Sequence, residues 1–169
     1  MSRAFVKEQD GNIAEDDVPE RPQSAGPNYV TAHGMEILRR EHQRLTERHA
    51  ELKALDSAEP IQQQELREVE RALNFVTGRI ERAIVVDPRG QPADEVRFGA
   101  GVEVEHESGE RHTYFIVGED EADAPNGRVS WASPLAQAMI GARVGDTVEW
   151  RRPAGTLRLE IVAIRYDVA

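Results

Sequence analysis

The chain has 169 residues, with 21 Lys and Arg against 31 Asp and Glu, for a formal charge of −10. That length suits one ordinary domain plus an appendage, and that charge argues against broad attraction to naked nucleic acid or anionic membrane. The absence of cysteine excludes disulfides, thiolate metal sites and cysteine nucleophiles. No apolar stretch approaches the ~20 residues needed to span a bilayer, and Met1–Glu8 has no apolar core of signal-peptide length, so the sequence reads as cytoplasmic.

Residues 1–30 are polar and punctuated by proline, as in Asp16-Asp17-Val18-Pro19 and Ala25-Gly26-Pro27. With little apolar surface to offset ordering entropy, they are expected to form a flexible leader, with Phe5 and Val6 as a lesser candidate for docking on a partner. From residue 31 the pattern becomes helical. Leu38, Leu45 and Leu52 recur at sevens, and Leu66, Val69, Leu73, Val76, Ile80 and Ala83 follow at threes and fours. Two such seams predict an antiparallel coiled-coil hairpin over 31–86. Thr31 suits the N-cap of a first helix running to about Leu55. Pro60 suits the first turn of a second helix running to about Ile84. The short break between them carries two carboxylates, Asp56 and Glu59, at the tip. Charged pairs such as Glu41 with Arg44 read as solvated helix surface. His42 and His49 fall on the seam, where packing against Val69, Leu73 or Val76 is favoured over metal binding.

Beyond Val96 the pattern alternates. Strands are predicted at Val102–Glu105, Thr113–Val117, Arg128–Trp131, Thr147–Trp150 and Leu157–Ile164. Ser133-Pro134 supplies an N-cap and first-turn proline for a short helix, Leu135 to Ile140, stopped by Gly141. A mostly antiparallel sheet carrying one short helix makes residues 93–169 a compact domain, and the whole chain α+β. The acidic run Glu119–Asp123 lacks the glycine and closing bidentate acid of an EF-hand loop, so it reads as an exposed acidic turn. No stably bound metal is expected, and no P-loop, Rossmann fingerprint, His-Glu-x-x-His or Gly-x-Ser-x-Gly occurs.

A helical hairpin with an acidic tip, followed by a small β-rich domain, resembles the GreA/GreB transcription elongation factors of bacteria. The fragments that carry the resemblance are Phe98-Gly99-Ala100, Tyr114 with Ile116-Val117-Gly118, and Asp120-Glu121-Ala122-Asp123. Ser133-Pro134-Leu135-Ala136 with Ile140-Gly141, and Val144-Gly145-Asp146, complete the set. Each is weak alone; their order and spacing are specific. The resemblance implies an FKBP-like C-terminal domain that holds the rim of the RNA polymerase secondary channel while the hairpin enters it. It implies a monomer with no active site and no cofactor of its own. Asp56 and Glu59 would help hold the polymerase's second Mg²⁺ while the polymerase cleaves backtracked RNA, and Ser133, Pro134 and Leu135 would lie at the polymerase-binding edge.

The chain also departs from the family pattern. Ser57-Ala58 separates the two acids, Pro60-Ile61-Gln62 replaces the usual continuation, and Ala132 stands where Asp or Asn often precedes the Ser-Pro pair. The hairpin is about a dozen residues short, which at ~1.5 Å per residue is roughly 9 Å of reach. Three functions are therefore expected in order: a channel-binding factor that stimulates transcript cleavage; a Gre-like or Rnk-like channel occupant that does not; and, from the FKBP-like fold alone, a peptidyl-prolyl isomerase.

Overall fold

The computed structural model describes residues 23–166. Most of the expected leader, residues 1–22 with Phe5 and Val6, lies outside the described residues. Asn28–Val30, at the leader's end, form a strand, β1.

Helix α1 covers Ala32–Leu55 and α2 covers Pro60–Glu81. Thr31 caps α1 as its sequence position predicts, its hydroxyl oxygen accepting from the Gly34 amide at 2.9 Å, and Pro60 opens α2 where its missing amide is not needed. The leucines spaced at seven, Leu38, Leu45 and Leu52, are buried together with Val69 and Val76, and Leu66, Leu73 and Ile80 pack around them. Ion pairs from Arg48 to Glu65 at 2.6 Å and from Lys53 to Glu70 at 3.5 Å join residues near the connection on both helices, so the two run back along each other. No described helix is long and apolar enough to cross a membrane.

The second helix ends three residues earlier than its periodicity predicts. Ala83–Val85 form strand β2, which pairs in parallel with β1, Asn28 opposite Ala83 and Val30 opposite Val85. Ile84 and Val85 are β-branched and favour extended backbone. The chain thus enters and leaves the helix pair side by side, through a two-stranded sheet.

The remaining strands are β3 (Gly101–His106), β4 (Arg111–Val117), β5 (Arg128–Ser130), β6 (Thr147–Arg152) and β7 (Gly155–Arg165). They form one sheet in the order β5-β4-β3-β7-β6, antiparallel except where β5 lies parallel to β4. A bulge between Glu103 and Val104 shifts the β3–β7 register. One face carries Val102, Val104, Ile116, Leu159 and Ile161, all fully buried, and the short helix α3 (Pro134–Met139) covers it with Leu135, Ala136 and Met139. The opposite face carries paired charges, including Arg111 with Glu103 and Glu105.

Candidate functional site: an acidic helix apex on a clamped base

Four residues connect α1 to α2, and their geometry decides what the apex presents. Asp56 ends α1 in the left-handed conformation, φ 43° and ψ 42°, its amide donating to the Lys53 carbonyl at 3.2 Å. The Ser57 hydroxyl oxygen accepts from the Glu59 amide at 3.1 Å, and the Gln63 side-chain amide donates to the Ser57 carbonyl. Glu59 precedes α2 as its cap residue but makes no side-chain cap bond. The backbone of the turn is therefore satisfied by Ser57 and Gln63. Both carboxylates are exposed and have no partner among the described residues.

Two large apolar side chains flank these acids: Leu55 is 58% exposed and Ile61 is 80% exposed. No group of three or more His, Cys, Asp or Glu among the described residues could hold a metal ion. Two hard oxygen ligands held this way can complete the coordination of an ion that another molecule supplies, but they are too few to form a closed site.

At the opposite end, the helix pair is fixed to the sheet by a buried cation that the sequence reading missed. Arg79 is 2% exposed. Its guanidinium donates to the Asp120 carboxylate at 2.7 and 2.9 Å, lies 3.1 Å from the Glu119 carboxylate, and donates to the Asn28 side-chain oxygen at 2.6 Å. The Asn28 amide group returns a bond to the Arg79 carbonyl at 2.8 Å. Thr31, besides capping α1, donates its hydroxyl to Glu121 at 2.7 Å. The run expected to be an exposed acidic turn is thus the socket of this junction, with Glu121 buried and Glu119 and Asp120 mostly covered. Its acids are short of solvent because Arg79 and Thr31 face them. The available signal was Arg79 itself, a cation three residues past Val76 beside an apolar seam.

His42 and His49 are both half-buried on α1. His49 meets the Glu70 carboxylate at 3.2 Å, and this contact, ahead of Lys53, holds the Glu70 carboxyl below the usual carboxylate range. In the sheet domain, Ser133 caps α3 by accepting from the Ala136 amide at 3.2 Å, and Pro134 is exposed at the first turn. Leu135, expected at the same edge as a contact residue, is 4% exposed inside the core. It faces the sheet from α3 and offers no surface; Ser133 and Pro134 do.

Residues 91–166 match the family model for the C-terminal domain of transcription elongation factors GreA and GreB. GreA of Alkalilimnicola ehrlichii is 41% identical over 153 aligned positions, covering 82% of this chain and 97% of that relative. The chain belongs to the GreA/GreB family. GreB of Neisseria meningitidis serogroup B is 43% identical over 102 residues, 60% of this chain, and the match spans 63% of that relative's length. A crystal structure of GreA factor homolog 1 (Gfh1) of Thermus thermophilus is 27% identical, with a TM-score of 0.40 over 83% of this chain and 99% of that one. The alignment with the A. ehrlichii GreA takes in about 139 residues of this chain against 153 positions, so about 14 residues of that GreA have no counterpart in this chain. The family match covers the domain that bears Ser133 and Pro134, and the near full-length relative extends it over the helix pair.

Proposed function

We propose that the chain is a bacterial elongation factor that binds RNA polymerase at the secondary channel and stimulates cleavage of backtracked RNA through Asp56 and Glu59. In this reading the helix pair is a coiled coil that enters the channel, and the sheet domain is an FKBP-like module seated on the channel rim, with Ser133 and Pro134 at the contact edge. The factor acts as a monomer in the cytoplasm and brings no cofactor. The chemistry is the polymerase's own: its Mg²⁺ accepts carboxylate and water ligands, and a second ion stabilises both attacking and leaving oxygens of an in-line displacement.

The observation that carries this reading is the pair of exposed, unpartnered carboxylates at the apex of helices that are clamped at their base to a family-type domain. A 24-residue helix extends about 36 Å, so a carboxylate at its end acts far from the domain that binds. The test is RNA 3′-end cleavage in a stalled, backtracked complex of the cognate polymerase, with polymerase binding measured separately. The wild-type chain stimulates cleavage, and Asp56→Asn/Glu59→Gln binds equally but does not.

The length of the helices supports a second reading. About 14 residues of the A. ehrlichii GreA have no counterpart here, and a shortfall within the hairpin would hold the acids back from the polymerase's ion. The factor would then occupy the channel without stimulating cleavage. Binding without cleavage by the wild-type chain favours that reading over the first.

A further inference from the structure

A cavity of about 370 Å³ lies at the joint between the helix pair and the sheet domain. Its helix side is Thr31 with the start of α1, and the Val85–Arg89 segment that leaves β2. Its sheet side includes Phe115, Glu121 and Arg128. Phe115 and Arg128 are partners across the β4–β5 pair, so both side chains leave the same face of the sheet, the one away from α3. The Phe115 ring is held there between Gly101, which has no Cβ to displace it, and the Arg165 guanidinium 5.8 Å from its centroid. Val85, Val86 and Pro88 face it as an apolar wall, and Val85 is left 50% exposed.

The charges on the cavity wall are of two kinds. Asp87 and Arg89 bind each other. Glu121 and Arg128 do not meet any opposite charge among the described residues. Glu121 is 6% exposed, and the Thr31 hydroxyl is the one described donor to it, at Oε2. Its Oε1 accepts no bond from a described residue, yet it is not sealed off from solvent, so it opens on the cavity. A carboxylate this covered is normally paired with a cation. Arg128 is half-buried, and its guanidinium makes no hydrogen bond or ion pair with a described residue. The backbone bridge from Asp123 to Arg128 brings the turn that carries Glu121 beside β5, and still the two charges stay apart. The cavity therefore presents an open acceptor and an open cation, separated, next to an apolar wall. That set is the complement of a zwitterion with an apolar body.

We infer that the cavity binds a free α-amino acid with an apolar side chain, its ammonium on Glu121, its carboxylate on Arg128 and its side chain against Phe115, Val85 and Pro88. A simple anion would answer Arg128 but set a like charge beside Glu121, and a simple amine would do the reverse. The size agrees. At ~30 Å³ for each water displaced, the cavity takes about a dozen non-hydrogen atoms, the size of phenylalanine and too small for a longer peptide. The ligand touches both the helix pair and the sheet domain, so its binding ties one to the other. The inference uses neither the apex acids nor the polymerase, so either can fail without the other.

The test is an NMR titration of the full ¹⁵N-labelled chain with L-phenylalanine. Hydrocinnamate, which lacks the ammonium, phenethylamine, which lacks the carboxylate, and glycine, which lacks the apolar body, are the comparisons. L-Phenylalanine should shift the amides of Ala32, Phe115 and Arg128 saturably and leave Leu55, at the apex, unmoved. Each comparison should bind at least tenfold more weakly. Arg128→Gln should weaken the L-phenylalanine titration at least tenfold with the rest of the spectrum unchanged. Val85→Ser trims the apolar wall at an exposed position, tests the same cavity if Arg128→Gln misfolds, and should weaken binding severalfold. Shifts that are absent, that persist unchanged in the folded variants, or that hydrocinnamate or phenethylamine reproduces at the same concentration overturn the inference. Transcript cleavage alongside a silent L-phenylalanine titration leaves the proposed function standing and removes this one.

Discussion

At Asp56 the backbone holds φ 43°, a left-handed conformation that costs an ordinary L-residue roughly 1–2 kcal/mol and that Asn and Asp tolerate best after glycine. The same residue therefore closes the turn through its backbone and presents a carboxylate through its side chain, and substitution separates the two. Asp56→Asn should leave the melting temperature within about 2 °C of wild type, since it preserves the backbone preference, while abolishing any carboxylate function. Asp56→Ala should lose stability as well, by about 1 kcal/mol, so thermal melts of the two variants distinguish a turn defect from a functional one. Asp87 shows a different residue-scale effect. Its carboxylate accepts from the Arg89 side chain at 2.8 and 3.0 Å and from the Arg89 amide at 3.0 Å. These bonds, the side-chain ones first, lower its pKa from 3.8 to about 2. Because the folded value lies below the unfolded one, the interaction stabilises the protein fully above about pH 4 and is lost as pH falls through 2. Carbon-detected NMR of the side chain should show a midpoint near 2, moving up toward the ordinary aspartate value in Arg89→Ala. A midpoint near 4 in the wild type would mean that Arg89 does not hold it.

The helices, the α3 cap and the strand pattern were legible because their signals are local. A seven-residue leucine spacing, a threonine before the first turn, a proline after the break and a Ser-Pro pair each act over a turn or so of chain. What escaped depended on distant partners. Strand β2 forms because β1, which precedes both helices, lies beside it, and three residues that continue a helical period give no sign of that. The parallel placement of β5 beside β4 is equally silent in an alternating pattern. The position of Asp56 and Glu59 at the apex was legible from the break between two helical periods, whereas the Arg79 socket was read as an exposed turn because its cation arrives from 40 or so residues earlier in the chain. Glycine marks where these distant elements touch. A Cβ on Gly118 would lie 2.7 Å from the Tyr29 backbone carbonyl oxygen, and one on Gly34 would lie 2.7 Å from a Glu121 carboxylate oxygen. The first neighbour is backbone of β1 and cannot move without disturbing the pairing with β2. The second is the end of a side chain. Gly118→Ala should therefore cost more than Gly34→Ala, about 1–3 kcal/mol by the usual penalty for overpacking, in denaturant melts of the two variants. Equal losses would mean that β1 yields as easily as a side chain.

For the whole molecule, the central question is how a long helix pair transmits position from a small domain. Apart from the clamp, the helix pair has its own apolar stripe and the sheet its own core, and these are two separate clusters. Tyr29 bridges them with aromatic contacts to Phe98 at 6.0 Å and Trp131 at 5.1 Å, and Arg79 adds charge to the same joint. Removing one member of a buried ion network leaves the others uncompensated and typically costs 3–5 kcal/mol, whereas removing both sides costs far less. Arg79→Met should thus lose about that much and split calorimetric unfolding into two transitions, the helix pair melting first and the sheet domain near its wild-type temperature. Adding Asp120→Leu to Arg79→Met should recover part of the loss, giving a coupling of about 1–3 kcal/mol in the double-mutant cycle. The functional consequence follows from leverage. With the apex about 36 Å from its base, a few degrees of play at the joint displaces Asp56 and Glu59 by ångströms, more than metal coordination tolerates. Under the proposed function, Arg79→Met assayed below its first transition, where both parts are folded, should match the wild type in any polymerase binding, yet lose most of any cleavage that Asp56 and Glu59 support. If cleavage survives while the two-step melting appears, the channel, and not the clamp, sets the position of the apex.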